Sequence, residues 1–300
     1  MRTVDLVKFY GRIEALAGLS MQVERGEVFG FLGPNGAGKT TSVKLLLGLL
    51  SPTAGEGWVL GLPIGSREAR RRLGYLPELF RYQGWLTARE VLALHCELAR
   101  LERSRWPAEI DRVLAVAGLT ERAGDRVATY SKGMTQRLGL AVALLGTPEL
   151  VILDEPTSAL DPVGRHDVRE IIRDLRRQGV AVFLNSHLLS EVEQVCDRVA
   201  IVNRGRVIAT GPLEELLSAH AVRLRVAGLS PGDRASLAGF GEVQDEEGWL
   251  VVRGCEPERV PDLVSSLVAL GVRVYAVEPQ RGSLEQRFLE LLSDEAAGGQ

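Results

Sequence analysis

Nothing in this sequence staples it, carries it through a bilayer or gives it a dominant charge. Only three cysteines, Cys96, Cys196 and Cys255, occur in 300 residues. They are scattered and odd in number, with no C-x-x-C pair and no Cys/His spacing. A disulfide framework and a structural zinc site are therefore not expected, and buried free thiols in a reducing compartment are. The longest apolar stretch, near Leu138 to Leu145, falls far short of the roughly 20 residues that cross a bilayer. Met1-Arg2-Thr3-Val4-Asp5 begins no apolar leader core, so the chain is expected to be soluble, with any membrane association made through a partner. A net charge of −3 offers no overall field for nucleic acid, and none is expected as a partner. Aromatics make up only 5%, which makes any local cluster of them worth tracing.

What is present is a full core and one strong motif. The apolar fraction, 45%, is that of a globular chain, and the length allows one large domain or two ordinary ones. Gly33-Pro34-Asn35-Gly36-Ala37-Gly38-Lys39-Thr40-Thr41 fits the pattern G-x-x-x-x-G-K-[ST]. The apolar run Val28 to Leu32 leads in like a buried strand, and Thr40 to Leu50 leads out like an amphipathic helix. Glycines tolerate φ > 0 and lack a Cβ, so such a loop can wrap a phosphate and aim backbone N–H groups and a helix N-terminus at it. Lys39 is expected to neutralise the β- and γ-phosphates and the Thr40 hydroxyl to ligate Mg²⁺. The chain is read as a binder of a nucleoside triphosphate.

The remaining pattern is α/β. Val4 to Val28 reads as short strands separated by turns, an antiparallel β layer. Lys8-Phe9-Tyr10-Gly11 within it holds aromatics that could stack on a purine or serve as ordinary strand residues; spacing alone leaves both open. Ser66 to Arg72 reads as a basic, solvated helical face, and Leu73 to Pro77 as a short strand. Helices follow from Leu86 to Leu119, the first opened by a Thr87/Glu90 capping box and the second by Pro107. Ser131-Lys132-Gly133-Met134-Thr135-Gln136 opens another helix running to Leu145. Leu150 to Leu153 reads as a strand buried on both faces, ending in Asp154-Glu155 where α/β sheets bind ligands. Asp154 is placed to hold Mg²⁺, and Glu155 to orient and polarise the attacking water. A helix from Val163 to Arg177, a strand ending at His187, a helix from Leu188 and two more strands complete this part. After about residue 220 the pattern becomes a small α+β module with no catalytic constellation, its last residues beyond Ser293 expected to fray.

Taken together, residues 3 to 220 resemble the nucleotide-binding subunit of ABC (ATP-binding cassette) transporters, and the signature-like Ser131 to Gln136 is the most specific element. The resemblance implies a phosphate-loop NTPase of ABC type spanning 1–220, with a helical subdomain at about 86–147 and an accessory or regulatory domain at 221–300. It implies ATP and Mg²⁺ as ligands, ATP hydrolysis, and two chains that sandwich two nucleotides, most simply as a homodimer. In that arrangement Ser131 and Gly133 reach the ATP held by the opposite subunit. Tyr10 matches the adenine-stacking aromatic, Asp161 in Ser158-Ala159-Leu160-Asp161 the loop that crosses the dimer, and His187 the switch histidine that contacts the γ-phosphate. The implied setting is cytoplasmic, on the inner face of the membrane through a transmembrane permease, and the subgroup is exporter-like.

Two features depart from the commonest family pattern. Lys132 and Met134 stand within the signature, and Lys132 could add charge at a phosphate or point to water. Glu78 occupies the position usually held by a glutamine that touches Mg²⁺ and water. It keeps an oxygen ligand but adds negative charge beside Asp154 and Glu155. Just beyond, Phe80, Tyr82 and Trp85 could form a surface for the permease's cytoplasmic helix or pack inside the helical subdomain.

Overall fold

The computed structural model describes residues 1–298 except 159, 218–220, 247 and 281. The chain divides into two compact units, Met1–Pro212 and Leu213–Gln300. The sequence reading set the change at 220, a position among the residues not described.

The first unit begins with β1 (Arg2–Tyr10) and β2 (Ile13–Gln22), followed by β3 (Val28–Leu32), α1 (Lys39–Leu46), β4 (Ala54–Val59) and β5 (Leu62–Pro63). Strands β2, β1, β4 and β5 form an antiparallel sheet in that order. Leu6, Leu16 and Leu19 of this sheet are buried in one cluster with Phe29, Phe31 and Phe183. The three phenylalanines stack with centroids 5.1 and 6.1 Å apart. Helix α1 is shorter than the expected Thr40 to Leu50. It ends where Gly48 takes φ +67°, a left-handed stop that costs glycine little, so Ser51-Pro52 lies beyond an end already made.

The chain continues through α2 (Arg67–Arg71), β6 (Leu73–Leu76), α3 (Ala88–Leu98), α4 (Trp106–Val116), α5 (Lys132–Ala143), β7 (Leu150–Asp154), α6 (Pro162–Arg177), β8 (Ala181–Asn185), α7 (Leu189–Val195), β9 (Arg198–Asn203) and β10 (Arg206–Pro212). A second sheet has the order β10-β9-β3-β8-β7-β6, with the five strands from β9 to β6 parallel and β10 antiparallel at the edge. Every residue of β3, β7 and β8 is buried, as unbroken apolar runs require. Because these strands are parallel, the segments that follow β3, β6, β7 and β8 all emerge at one end of the sheet. That single consequence of topology assembles the site.

Helices α3, α4 and α5 form the helical subdomain around Val91, Leu92, Cys96, Ile110, Val113, Leu114, Leu138 and Ala141. The capping box at Thr87/Glu90 is present. The aromatic trio divides. Phe80 rests over Gly139, where a Cβ would stand 2.5 Å from its ring. Tyr82 lies between Phe80, met at a tilt, and His95, met edge-on, while Trp85 is 73% exposed and Leu79 86%.

The second unit contains α8 (Leu213–Leu216), β11 (Ala221–Ala227), α9 (Pro231–Leu237), β12 (Glu242–Glu246), β13 (Trp249–Arg253), α10 (Val260–Ala269), β14 (Arg273–Gln280) and α11 (Leu284–Gly298). Its sheet order β12-β13-β11-β14 and its β-α-β-β-α-β succession are those of a ferredoxin-like module. Val222, Leu224, Leu237, Leu250, Val252, Leu263 and Leu267 form its own core. Helix α11 continues through Glu295-Ala296-Ala297 rather than fraying after Ser293; these are good helix formers.

Candidate nucleotide site

The loop after β3 is shaped by glycines at close approaches or at positive φ. Gly38 takes φ +101°, and a Cβ there would stand 2.6 Å from the Ala15 carbonyl oxygen. At Gly33 a Cβ would collide with the Val202 carbonyl. Gly36, at φ +82°, faces open space, so its backbone is free to approach a ligand. Lys39 folds back over the loop and donates from Nζ to the carbonyls of Gly33 and Pro34, at 2.6 and 3.1 Å. Burial pulls its ammonium pKa down, and Glu155, Asp154 and Glu78 oppose that by raising it. Asn35 and Thr40 are exposed, Ala37 is buried, and Pro34 and Thr41 are half-buried at the same end of the sheet.

The acids gather opposite. Asp154 and Glu155 are 5% and 7% exposed. Burial pushes both carboxyls upward from the usual range. At Asp154 a hydrogen bond from Asn185 opposes the rise and Glu78 reinforces it; at Glu155 the His187 contact opposes it. Glu155 sits at φ +52°, a left-handed conformation costing a non-glycine residue roughly 1–2 kcal/mol. Its N–H donates to the Asn185 carbonyl at 2.8 Å, which holds the strained turn. His187 Nδ1 lies 2.7 Å from Glu155 Oε2. Glu78 is exposed, yet its charge is felt at Lys39 and Asp154.

Sequence reasoning missed Asn185. It lies opposite Asp154 in the β7–β8 register, is 3% exposed, and donates from Nδ2 to Asp154 Oδ1 at 2.5 Å. Its Oδ1 is buried without a hydrogen-bond partner. The available signal was position alone: a polar residue ending a strand whose neighbour ends in the acid pair.

Not all the expected site residues join this cluster. Ser131 caps α5, accepting from the Met134 N–H at 3.2 Å. Asp161 caps α6, accepting from the Gly164 N–H at 2.8 Å. Ser131, Gly133 and Asp161 share a separate depression with Lys132, Leu160 and Val163, and no phosphate-loop residue lines it. Lys132 is exposed at its rim, and Val163 is 69% exposed. Tyr10 stands apart on β1, 45% exposed, with Lys8 Nζ 5.5 Å from its ring centre. The expected site residues thus fall in separate places on one chain.

A phosphate loop, an acid pair and a histidine at one end of a parallel sheet, beside a helix-capping serine on an inserted helical subdomain, define an ATPase of the ABC type. The ABC transporter family profile matches residues 16–158, and an AAA domain profile (putative AbiEii toxin, Type IV TA system) matches residues 126–193. The chain is 41% identical over 287 residues to an uncharacterized ABC transporter ATP-binding protein of Synechocystis sp., covering 94% of this chain and 80% of the relative. It is 40% identical over 219 residues to the bacitracin transport ATP-binding protein of Bacillus licheniformis, covering 72% and 71%. A solved structure described as the ATP binding subunit of an ABC transporter is similar with a TM-score of 0.65 and 31% identity, over 72% of this chain and 90% of that one. The chain belongs to the ATP-binding proteins of ABC transporters. It binds and hydrolyses ATP.

Proposed function

We propose that this chain powers export by a separate transmembrane permease, working as a pair of identical subunits that close on two ATP molecules. The observation that supports the reading is that Ser131, Gly133 and Asp161 line a depression apart from the cluster of Lys39, Asp154, Glu155 and His187. In this reading each group is one side of a nucleotide site, and a two-fold related copy would bring each to its complement. A relative that shares 40% identity is a bacitracin transport protein, which supports an exporter-like role. Among the described residues no helix is long and apolar enough to cross a membrane, so the proposed location is the cytoplasmic face, reached through the permease.

In the proposed mechanism the loop from Gly33 to Thr41 wraps the phosphates with backbone N–H groups, and Lys39 exchanges its two carbonyl partners for β- and γ-oxygens. Tyr10 stacks on adenine. Glu155 accepts a hydrogen bond from the attacking water and orients it, while His187, already held to Glu155, contacts the γ-phosphate. Thr40, Asp154 and Glu78 present the hard oxygen donors that Mg²⁺ favours, and the unpartnered Asn185 Oδ1 fits a ligand-bound water. When bound, Mg²⁺ would neutralise charge on the phosphate oxygens. Hydrolysis then reopens the dimer and resets the permease.

Extraction of the native protein from gently solubilised membranes tests the role. A co-purifying protein with several transmembrane helices is expected; co-purification with ribosomes or a soluble scaffold instead would overturn it. Lys39→Ala separates the chemistry from the role, since it should abolish ATP binding or turnover whatever the partner.

A further inference from the structure

Helix α6 carries arginines at 169, 173 and 176, a spacing that sets them on one helical face. Each reaches the α7 segment. Arg169 Nη1 donates to both carboxylate oxygens of Glu191, at 2.9 and 2.8 Å. Arg173 Nη2 donates to the Gln194 carbonyl at 3.0 Å. Arg176 pairs with Asp197 at 2.5 Å, and Asp197 also accepts from the Val28 N–H at the start of β3, at 2.9 Å. The far end of α7 is therefore tied to both α6 and β3. The end nearest His187 is tied differently. Helix α7 has no side-chain N-cap, and the turn before it is held by Ser186 Oγ accepting from the Leu188 N–H at 3.1 Å. Glu191, four residues after His187 and 6% exposed, is held by Arg169 of α6.

We propose that Arg169 and Glu191 are positioning residues that set His187 against Glu155, the working end of an arginine ladder through which α6 fixes the switch segment. The ladder begins on the helix capped by Asp161, so the same rigid element carries the loop read above as crossing to the second subunit. Arg169 is itself only 16% exposed, and its Nε has no partner. A half-buried charge held by both oxygens of one carboxylate has little freedom to choose another geometry. The inference rests on the reading of His187 as a γ-phosphate contact for its effect on turnover, and on geometry alone for its effect on the imidazole.

The test uses the full chain without nucleotide, with ¹⁵N-labelled histidine, the His187 ring signals being assigned by their loss in His187→Gln. In the native protein Nδ1 should show the shift of a ring nitrogen bonded to a carboxylate. Glu191→Gln and Arg169→Met should move it toward that of a solvent-exposed imidazole. Arg176→Gln, which removes an equally close pair further along the ladder, should leave it in place, and Arg169→Lys, which keeps a charged donor, should retain most of it. In steady state the first two variants should lower kcat by about tenfold with KM for ATP within about twofold, the pattern of misplaced chemistry rather than lost binding. An unmoved His187 signal in both, or an equal displacement in Arg176→Gln, would overturn the ladder as a positioning device. Normal turnover in His187→Ala would instead overturn the γ-phosphate reading, and the ring signals would still decide the ladder.

Discussion

At the residue scale the acid pair depends on a neighbour that contributes no charge. Asn185 holds Asp154 through its side chain and Glu155 through its carbonyl, so it fixes one carboxylate and supports the strained backbone of the other. Asn185→Ala should therefore lower kcat by roughly 10- to 100-fold with ATP affinity less affected, measured by steady-state turnover and nucleotide titration. The acids themselves oppose folding. Burial raises both carboxyl pKa values, so the folded state binds these protons more tightly than the unfolded chain does. Holding the groups ionised at neutral pH then costs stability, and the cost disappears as pH falls through the raised folded values. Glu155→Gln should accordingly raise the stability of the nucleotide-free protein by about 0.5–2 kcal/mol at pH 7. That gain should fade on acidification, as followed by denaturant midpoints across a pH series. The placement of Lys39, Asp154 and Glu155 at one end of the sheet was legible in the sequence because each belongs to a local pattern, whereas His187 was singled out only through the family resemblance. Asn185 was not, because its role comes from strand register, which brings residues 31 positions apart together.

At the scale of elements, the sequence marked most helix starts and fewer helix ends. Thr87, Ser131 and Pro107 announce their helices through caps and an allowed proline. The end of α1 was misplaced because the apolar run continues to Leu50 although Gly48 has already turned the backbone. The aromatic trio shows what periodicity cannot decide. Gly139 on α5 opens the space that Phe80 fills, and nothing local to either residue reveals the other. Phe80→Ala should thus destabilise the first unit by about 2–4 kcal/mol, a cavity cost. Trp85→Ala should change stability by less than about 0.5 kcal/mol, as expected of an exposed site. With the exposed Trp85 as the part of the aromatic trio left for the permease's cytoplasmic helix, Trp85→Ala should also weaken co-extraction with the membrane partner while leaving ATP turnover of the isolated subunit unchanged. Thermal unfolding and a pull-down from solubilised membranes separate these outcomes.

At the scale of the whole molecule, charge and core are unequally shared. The first unit holds every lysine of the chain, and the ferredoxin-like unit has arginine as its only strong base against an excess of carboxylates. Its own core around Leu224, Leu250, Val252 and Leu263 argues for a module that folds without the ATPase. The topology was beyond sequence reading because β12 and β14 are the edge strands around a pair that is distant in sequence. Residues 213–300 expressed alone should unfold in a single cooperative transition, and residues 1–212 should retain ATP binding, whereas dimer closure is the property most open to change. In the full chain Glu155→Gln should trap an ATP-dependent dimer, detected by light scattering, because the two half-sites remain intact while the water loses its orienting carboxylate. The same substitution in 1–212 then assigns the second unit. An equally stable trapped dimer would place all of the closing surface in the ATPase unit, and a weakened one would make the ferredoxin-like module part of what holds two chains together.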